Sequence, residues 1–175
     1  IFKDFETNID TDETNKTKII NVNVKEKPTG EIFAGAGTGT SGSSVSFGIS
    51  ENNYLGEGIR LGADLSLSDD IINGKFIISE PNYKNSNRSF VRGIERTEID
   101  HLSKFGYKTE KTGFTFGTKY EQFKNIFFSP NLSNYYEKIS TNSQASTAKK
   151  KQDGNYLDVI FDYSLSLNKL NQNFN

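Results

Sequence analysis

The sequence predicts an all-β chain of about eight antiparallel strands forming the wall of a transmembrane barrel. Three observations carry that expectation. Apolar residues recur at every second position, not every third or fourth. Aromatics, Gly, Ser, Thr and Asn are frequent, while only 3 of 175 residues are Pro. The average is also polar: hydrophobic residues make up 33% and charged residues 25%, with a mean hydropathy of −0.64. No apolar run approaches the ~20 residues of a membrane helix. A barrel strand, however, exposes apolar side chains on one face only, so low averaged hydropathy agrees with strands that cross lipid.

The elements follow in order. Phe2 to Thr7 and Lys18 to Val24 read as a hairpin across the polar stretch Asn8 to Thr17. A boundary falls at Lys27-Pro28-Thr29-Gly30, because Pro28 cannot donate to a central ladder. Gly30 to Thr40 is a glycine-rich strand with Ile32, Ala34 and Ala36 on one face. Val45, Phe47 and Ile49 alternate with Ser44, Ser46, Gly48 and Ser50. In the next strand Ile59, Leu61, Ala63, Leu65 and Leu67 oppose Arg60, Gly62, Asp64, Ser66 and Ser68. Ile71 to Ser79, Ser89 to Ile99, Thr112 to Tyr120 and Phe127 to Ile139 are further strands. In the last, Leu157, Val159, Phe161, Tyr163, Leu165 and Leu167 share a face against Asp158, Ile160, Asp162, Ser164, Ser166 and Asn168. Strands of roughly 8–13 residues suit a tilted bilayer crossing. Connections near Ser41, Asp69, 100–111 and 140–154 alternate with shorter ones at 51–58, 80–88 and 121–126. One rim should therefore be loop-rich and the other short-turned, with the long loops facing outward.

Composition restricts the chemistry. A net charge of −1 argues against nucleic acid as a partner, since phosphate neutralisation needs a basic surface. Absence of Cys removes disulfide, thiolate and Cys-metal chemistry. The single histidine, His101, falls in an expected loop, and no Ser/His/Asp set assembles around it. No catalytic residue, cofactor or metal is expected. The chain opens at Ile1, without Met or a signal pattern, so it reads as an internal piece of a longer protein. Gly37-Thr38-Gly39-Thr40-Ser41-Gly42 has the GxGxxG form, but period-two residues follow it where a dinucleotide site needs a helix. Arg60, Asp64, Asp158 and Asp162 sit on polar faces, as expected of a hydrated barrel lumen rather than a catalytic carboxylate pair. Lys149, Lys150 and Lys151 read as an ordinary solvated loop.

Four motifs bring a family into view. Val24-Lys25-Glu26-Lys27-Pro28-Thr29-Gly30-Glu31, continuing as Ile32-Phe33-Ala34-Gly35-Ala36-Gly37, resembles the BamA family where its last POTRA strand enters the barrel. Glu51-Asn52-Asn53-Tyr54-Leu55-Gly56-Glu57-Gly58 resembles that family's first periplasmic turn, Glu80-Pro81-Asn82-Tyr83 its second, and Asn168-Lys169-Leu170-Asn171-Gln172-Asn173-Phe174 its fourth. Leu170 departs from the family habit in the last. Asn52, Asn53, Leu55, Gly56 and Gly58 would form the first turn, with Asn tolerating a positive φ. Phe90-Val91-Arg92-Gly93 looks like a Val-Arg-Gly motif that the family carries in a late loop, but here it lies in an early strand, as chance would place it.

The resemblance implies a sixteen-stranded transmembrane barrel, of which this chain carries the N-terminal half at 29–175, preceded at 1–28 by the terminal hairpin of a POTRA domain. It implies outer-membrane residence with the POTRA part in the periplasm, and a non-enzymatic role in assembling and inserting β-barrel proteins. Gly30, Glu31, Ile32, Phe33, Ala34, Gly35, Ala36 and Gly37 would form the lateral-gate strand. Ile59, Leu61, Leu65, Leu67, Leu157, Val159 and Phe161 would face lipid. Partners would be nascent outer-membrane barrels, lipoprotein subunits of an assembly complex, membrane lipid and lipopolysaccharide. Alternatives are a small eight-stranded anchor or adhesin barrel, another POTRA-barrel transporter, and a soluble lipid-binding barrel with its apolar face inward.

Overall fold

A computed structural model describes residues 2–12, 17–39 and 42–169. Its backbone is almost entirely strand, arranged as two antiparallel sheets. A two-stranded sheet pairs β1 (Phe2–Asp12) with β2 (Thr17–Glu26). These strands run further than the sequence predicts. The expected loop at Asn8 to Thr17 is mostly ladder, with Asn8 opposite Asn21 and Asp10 opposite Ile19. Polar side chains do not interrupt pairing where both faces of a hairpin stay in solvent.

The second sheet contains eight strands: β3 (Gly30–Gly39), β4 (Gly42–Tyr54), β5 (Ile59–Ser68), β6 (Ile71–Glu80), β7 (Ser89–His101), β8 (Tyr107–Phe123), β9 (Ile126–Thr141) and β10 (Gly154–Leu167). Each pairs with its sequence neighbours in a meander, in the order β10-β9-β8-β7-β6-β5-β4-β3. That order leaves β3 and β10 as the two edges. The described sheet is therefore an open half-barrel, whereas the eight-stranded anchor would bring β10 beside β3. No described helix is long and apolar enough to cross a membrane, which is silent on strands. The helices α1 (Leu102–Phe105) and α2 (Thr147–Lys150) are single turns at one rim.

Three loop expectations are corrected. The region 100–111 is mostly strand: β7 runs through His101, and β8 begins at Tyr107. His101 thus closes a strand and pairs with Tyr107 rather than lying in a loop. At the opposite rim, the turn expected at 121–126 shrinks to residues 124–125. The longest connections are 142–153 on one rim and 81–88 on the other, so loop length separates the rims less sharply than the sequence predicts. Strand extension takes its place. β8 and β9 have 17 and 16 residues, beyond the ~9–11 needed to cross lipid. The extra length of β8 at the 142–153 rim is held to β7 by cross-strand charge: Lys108 pairs with Glu98 at 2.6 Å and Arg96 with Glu110 at 3.0 Å.

Register assigns every side chain to one of two faces. One row across the sheet reads Ile32, Ile49, Ala63, Phe76, Ile94, Phe114, Asn134, Val159. The other face carries Asp64, Lys75, Glu95, Ser133 and Asp162, among others. Lys75, Val91, Thr115, Ser133, Tyr135 and Asp162 come from β6 to β10 yet line one hollow of about 370 Å³. Residues from five successive strands can share a hollow only where the sheet is concave. The polar set is therefore inside and the apolar set outside.

Candidate functional site: an open edge and an apolar outer wall

The sheet has almost no sealed core. Among the described residues, only Ile139 and Ala145 are buried apolar side chains. The large apolar groups lie instead on the convex surface, with Phe47, Phe76, Phe114, Leu132 and Phe161 all exposed. Leu61, Leu65, Leu67, Leu157, Val159 and Phe161 share this face, and Ile59 joins it through its pairing with Tyr54. This polarity is the reverse of the soluble lipid-binding barrel, which needs its apolar face inward.

The apolar band is oblique to the hydrogen-bonded rows. Ala36, Val45, Leu67 and Ile72 form one end of a row that continues into Glu98, Glu110, Lys138 and Asn155. Toward the opposite rim, the row begun by Gly30 and Glu51 becomes Ile78, Arg92, Phe116, Leu132 and Phe161. Strands tilted in a barrel wall produce this drift, since each strand is offset along its own axis relative to its neighbour.

The residues expected in the gate strand all fall in β3, at the sheet edge. Ile32 is 85% exposed on the convex face, and Gly30, Ala34 and Ala36 share that side. Glu31, Phe33, Gly35 and Gly37 face inward. Phe33 provides the one large inward contact: its ring occupies the space over Gly48, beside Asp64, where a Cβ on residue 48 would collide with it. Gly37 and Gly39 meet little, the nearest atom to a Cβ on Gly37 being Ser44 Oγ at 3.8 Å. Beyond Phe33, β3 is held mainly by its backbone ladder to β4.

The first turn holds the entry to that strand, by chemistry the sequence reading missed. Among the described turn residues, positive φ belongs to Leu55, Gly56 and Gly58, not to Asn52 or Asn53. The asparagines act through their amides. Asn52 donates its backbone N–H (3.1 Å) and Nδ2 (3.2 Å) to the carbonyl of Thr29, and Asn53 Oδ1 accepts from Gly58 N–H at 2.7 Å. Glu51 Oε1 accepts from Asn53 N–H at 2.7 Å. An acidic-Asn-Asn sequence before a strand break is a side-chain capping signal, and that signal was available. In the second turn, Asn82 Oδ1 accepts from Asn87 N–H at 2.9 Å. In the fourth motif, residues 170–174 lie outside the described residues.

The carboxylates singled out by sequence do not meet. Arg60 and Asp64 stand on β5, and Asp158 and Asp162 on β10, with β6 to β9 between them. Asp162 instead accepts from Asn131 Nδ2 at 3.0 Å. Of the GxGxxG glycines, Gly37 and Gly39 end β3 and Gly42 opens β4, so a strand rather than a helix follows them. No group of three potential metal ligands stands together among the described residues. At the loop-rich rim, Asp153 accepts from Thr141 Oγ1 and N–H, both at 2.7 Å. The Thr141 hydroxyl bond first, then its N–H, holds the carboxyl below its ordinary range against a smaller opposing cost of desolvation.

An open, outwardly apolar antiparallel meander defines the class: part of the wall of a β-barrel. No protein-family model matches the chain. Among solved structures, the chain is similar to the crystal structure of BamA from Haemophilus ducreyi lacking POTRA domains 1–3, with a TM-score of 0.66 and 23% identity. That likeness covers 99% of this chain and 36% of the other. The fold is BamA-like, and the chain spans about a third of the solved chain that it matches.

Proposed function

We propose that this chain is a membrane-spanning half-wall in the bacterial outer membrane, and that its first barrel strand, β3, helps to assemble and insert other β-barrel proteins as template edge and lateral gate. In this reading the 142–153 rim faces outward, and β1 and β2 are the end of a periplasmic POTRA domain. Incoming barrels and lipoprotein subunits of an assembly complex are the protein partners, and lipid and lipopolysaccharide surround the wall. The role needs no catalytic group.

The observation that carries the reading is the edge itself. A nascent barrel presents N–H and C=O groups that cannot remain unpaired in lipid, and an exposed strand can pair with them by β-augmentation. β3 offers such an edge next to an outwardly apolar wall, and its inner glycines leave little side-chain packing to resist opening.

The test is a proline scan through residues 31–37 in the full-length protein. At positions whose N–H points away from β4, proline removes only the donor offered to an incoming strand. Assembly of client barrels should fall at least tenfold there, with the protein's own heat-modifiable folding retained. Undiminished assembly across the whole scan would refute the template role.

A further inference from the structure

On the convex wall, an ion pair and an apolar hollow lie side by side, and the gate reading uses neither. Arg92 belongs to the Phe90-Val91-Arg92-Gly93 run. It points outward between Ile78 and Phe116 in a row that is otherwise apolar from Leu61 to Phe161. A charge in such a row needs a partner, and Arg92 Nη2 finds Glu80 Oε1 across β6–β7. Its guanidinium carbon also lies 5.6 Å from the centre of the Phe90 ring. Glu80 is the more enclosed of the two, its side chain 16% exposed against 44% for Arg92. The contact uses one guanidinium nitrogen and one carboxylate oxygen, leaving further donors and acceptors on both groups.

The adjacent hollow has a structural origin. Pro130 lacks an N–H, and the β8–β9 ladder passes from Gly117↔Asn131 to Tyr120↔Phe128 across it. Around this interruption Phe90, Phe116, Pro130, Leu132 and Phe161 line a shallow, open apolar depression of about 240 Å³. That is below the ~300 Å³ at which compact small-molecule pockets begin, and suits a length of hydrocarbon chain. Thr118 does not add a free polar group to it, because its hydroxyl donates to the Ser89 carbonyl at 2.8 Å.

We infer that the hollow and the Arg92–Glu80 pair form a binding site for a zwitterionic phospholipid with a primary ammonium headgroup. One acyl chain lies in the hollow, the lipid phosphate accepts from Arg92, and the ammonium donates to Glu80. Charge complementarity selects this headgroup. A net anion would meet the Glu80 carboxylate beside its phosphate site, and a quaternary ammonium has no N–H to give that carboxylate. Placement agrees, since Glu80 ends β6 at the rim opposite the 142–153 loop, where the apolar band gives way to the polar connection 81–88. The inference rests on the membrane-spanning reading above.

The experiment inserts the full chain into nanodiscs of phosphatidylethanolamine, phosphatidylcholine and phosphatidylglycerol in equal amounts. Lipids that stay bound on release are then counted by native mass spectrometry. The wild type should retain phosphatidylethanolamine roughly tenfold over either competitor, as one or two charge-assisted bonds allow. Arg92→Gln should abolish that preference, Glu80→Gln should shift it toward phosphatidylglycerol, and Phe116→Ala should lower retention of all three. Retention by the wild type in the supplied ratio, or preference for the anionic lipid, overturns the site without any variant having to fold. Elution of the wild type apart from the discs overturns the membrane reading and this site together, a result distinct from unselective retention in the discs.

Discussion

Phe33 and Tyr135 meet the same physical need on the concave face. Each lays a ring over a glycine on the neighbouring strand, Gly48 and Gly113 respectively, in space that a Cβ would occupy. Lys111 Nζ sits 4.4 Å from the centre of the Tyr135 ring, adding a cation–π contact. For β3 the ring is the main side-chain tie to the sheet, and Phe33 remains 47% exposed. Its loss should therefore cost about 1 kcal/mol, near half the value of a fully buried side chain. Gly48→Ala should displace the ring and raise amide exchange through residues 31–37 severalfold, while β7 to β9 keep their protection. Combined with Phe33→Ala, it should add almost nothing. Independent, additive effects of the two substitutions would show that the ring is not the tie.

Asp153 makes a second prediction at this scale, with a definite sign. Its carboxyl is held below its ordinary range by bonds from Thr141 that the unfolded chain lacks. The folded state therefore binds the proton less readily, and the stabilisation is fully present above the unfolded value of ~3.9. It is lost as pH falls through the lowered folded value. Proteolysis of the 142–153 loop should rise in the wild type only as pH drops below about 4. In Asp153→Asn it should already be fast at neutral pH, and an unchanged loop in that variant would remove Asp153 as its clasp.

Among the elements, strand existence was legible and strand length was not. Alternation of Leu157 to Leu167 or Val45 to Ile49 reflects one apolar wall, and any strand contributing to it must show the pattern. The ends of β7 and β8 pass beyond that wall, where Arg96 and Glu98 on β7 pair across to Glu110 and Lys108 on β8 instead of alternating with apolar residues. Period-two reading fails there because both faces are polar, and the charged residues looked like loop. The same cause hid the outer half of the first hairpin. For the candidate edge, its location and its glycines were readable, whereas Phe33 over Gly48 required register, and Asn52 on Thr29 required the turn's geometry. Asn52→Ala should loosen the entry to β3 without affecting β5 to β10. Exchange at residues 29–32 should rise severalfold, and uniform destabilisation of the sheet would contradict a local anchor.

At the scale of the molecule, the deciding fact is which way the curved sheet turns its apolar residues. Averaged hydropathy describes a polar chain, yet register collects most of its large apolar residues onto a single convex band, with charged residues toward the rims. Only Ile139 and Ala145 are buried apolar residues among those described, so the convex band is an exposed apolar patch of the kind that marks an interaction surface. Fold similarity to BamA and the open β3 edge then give that wall its proposed work. Both depend on the outer face meeting lipid.

The most direct measurement is nitroxide accessibility in lipid bilayers, one label at a time. Labels at Leu61, Ala63, Leu65, Phe114 and Leu132 on the convex band are compared with labels at Lys75, Glu95 and Ser133 on the concave face. The convex set should collide freely with oxygen and be shielded from a polar nickel quencher, and the concave set should show the opposite. Strong nickel access at the convex set, with oxygen favoured at the concave one, would mean that the apolar wall does not face lipid.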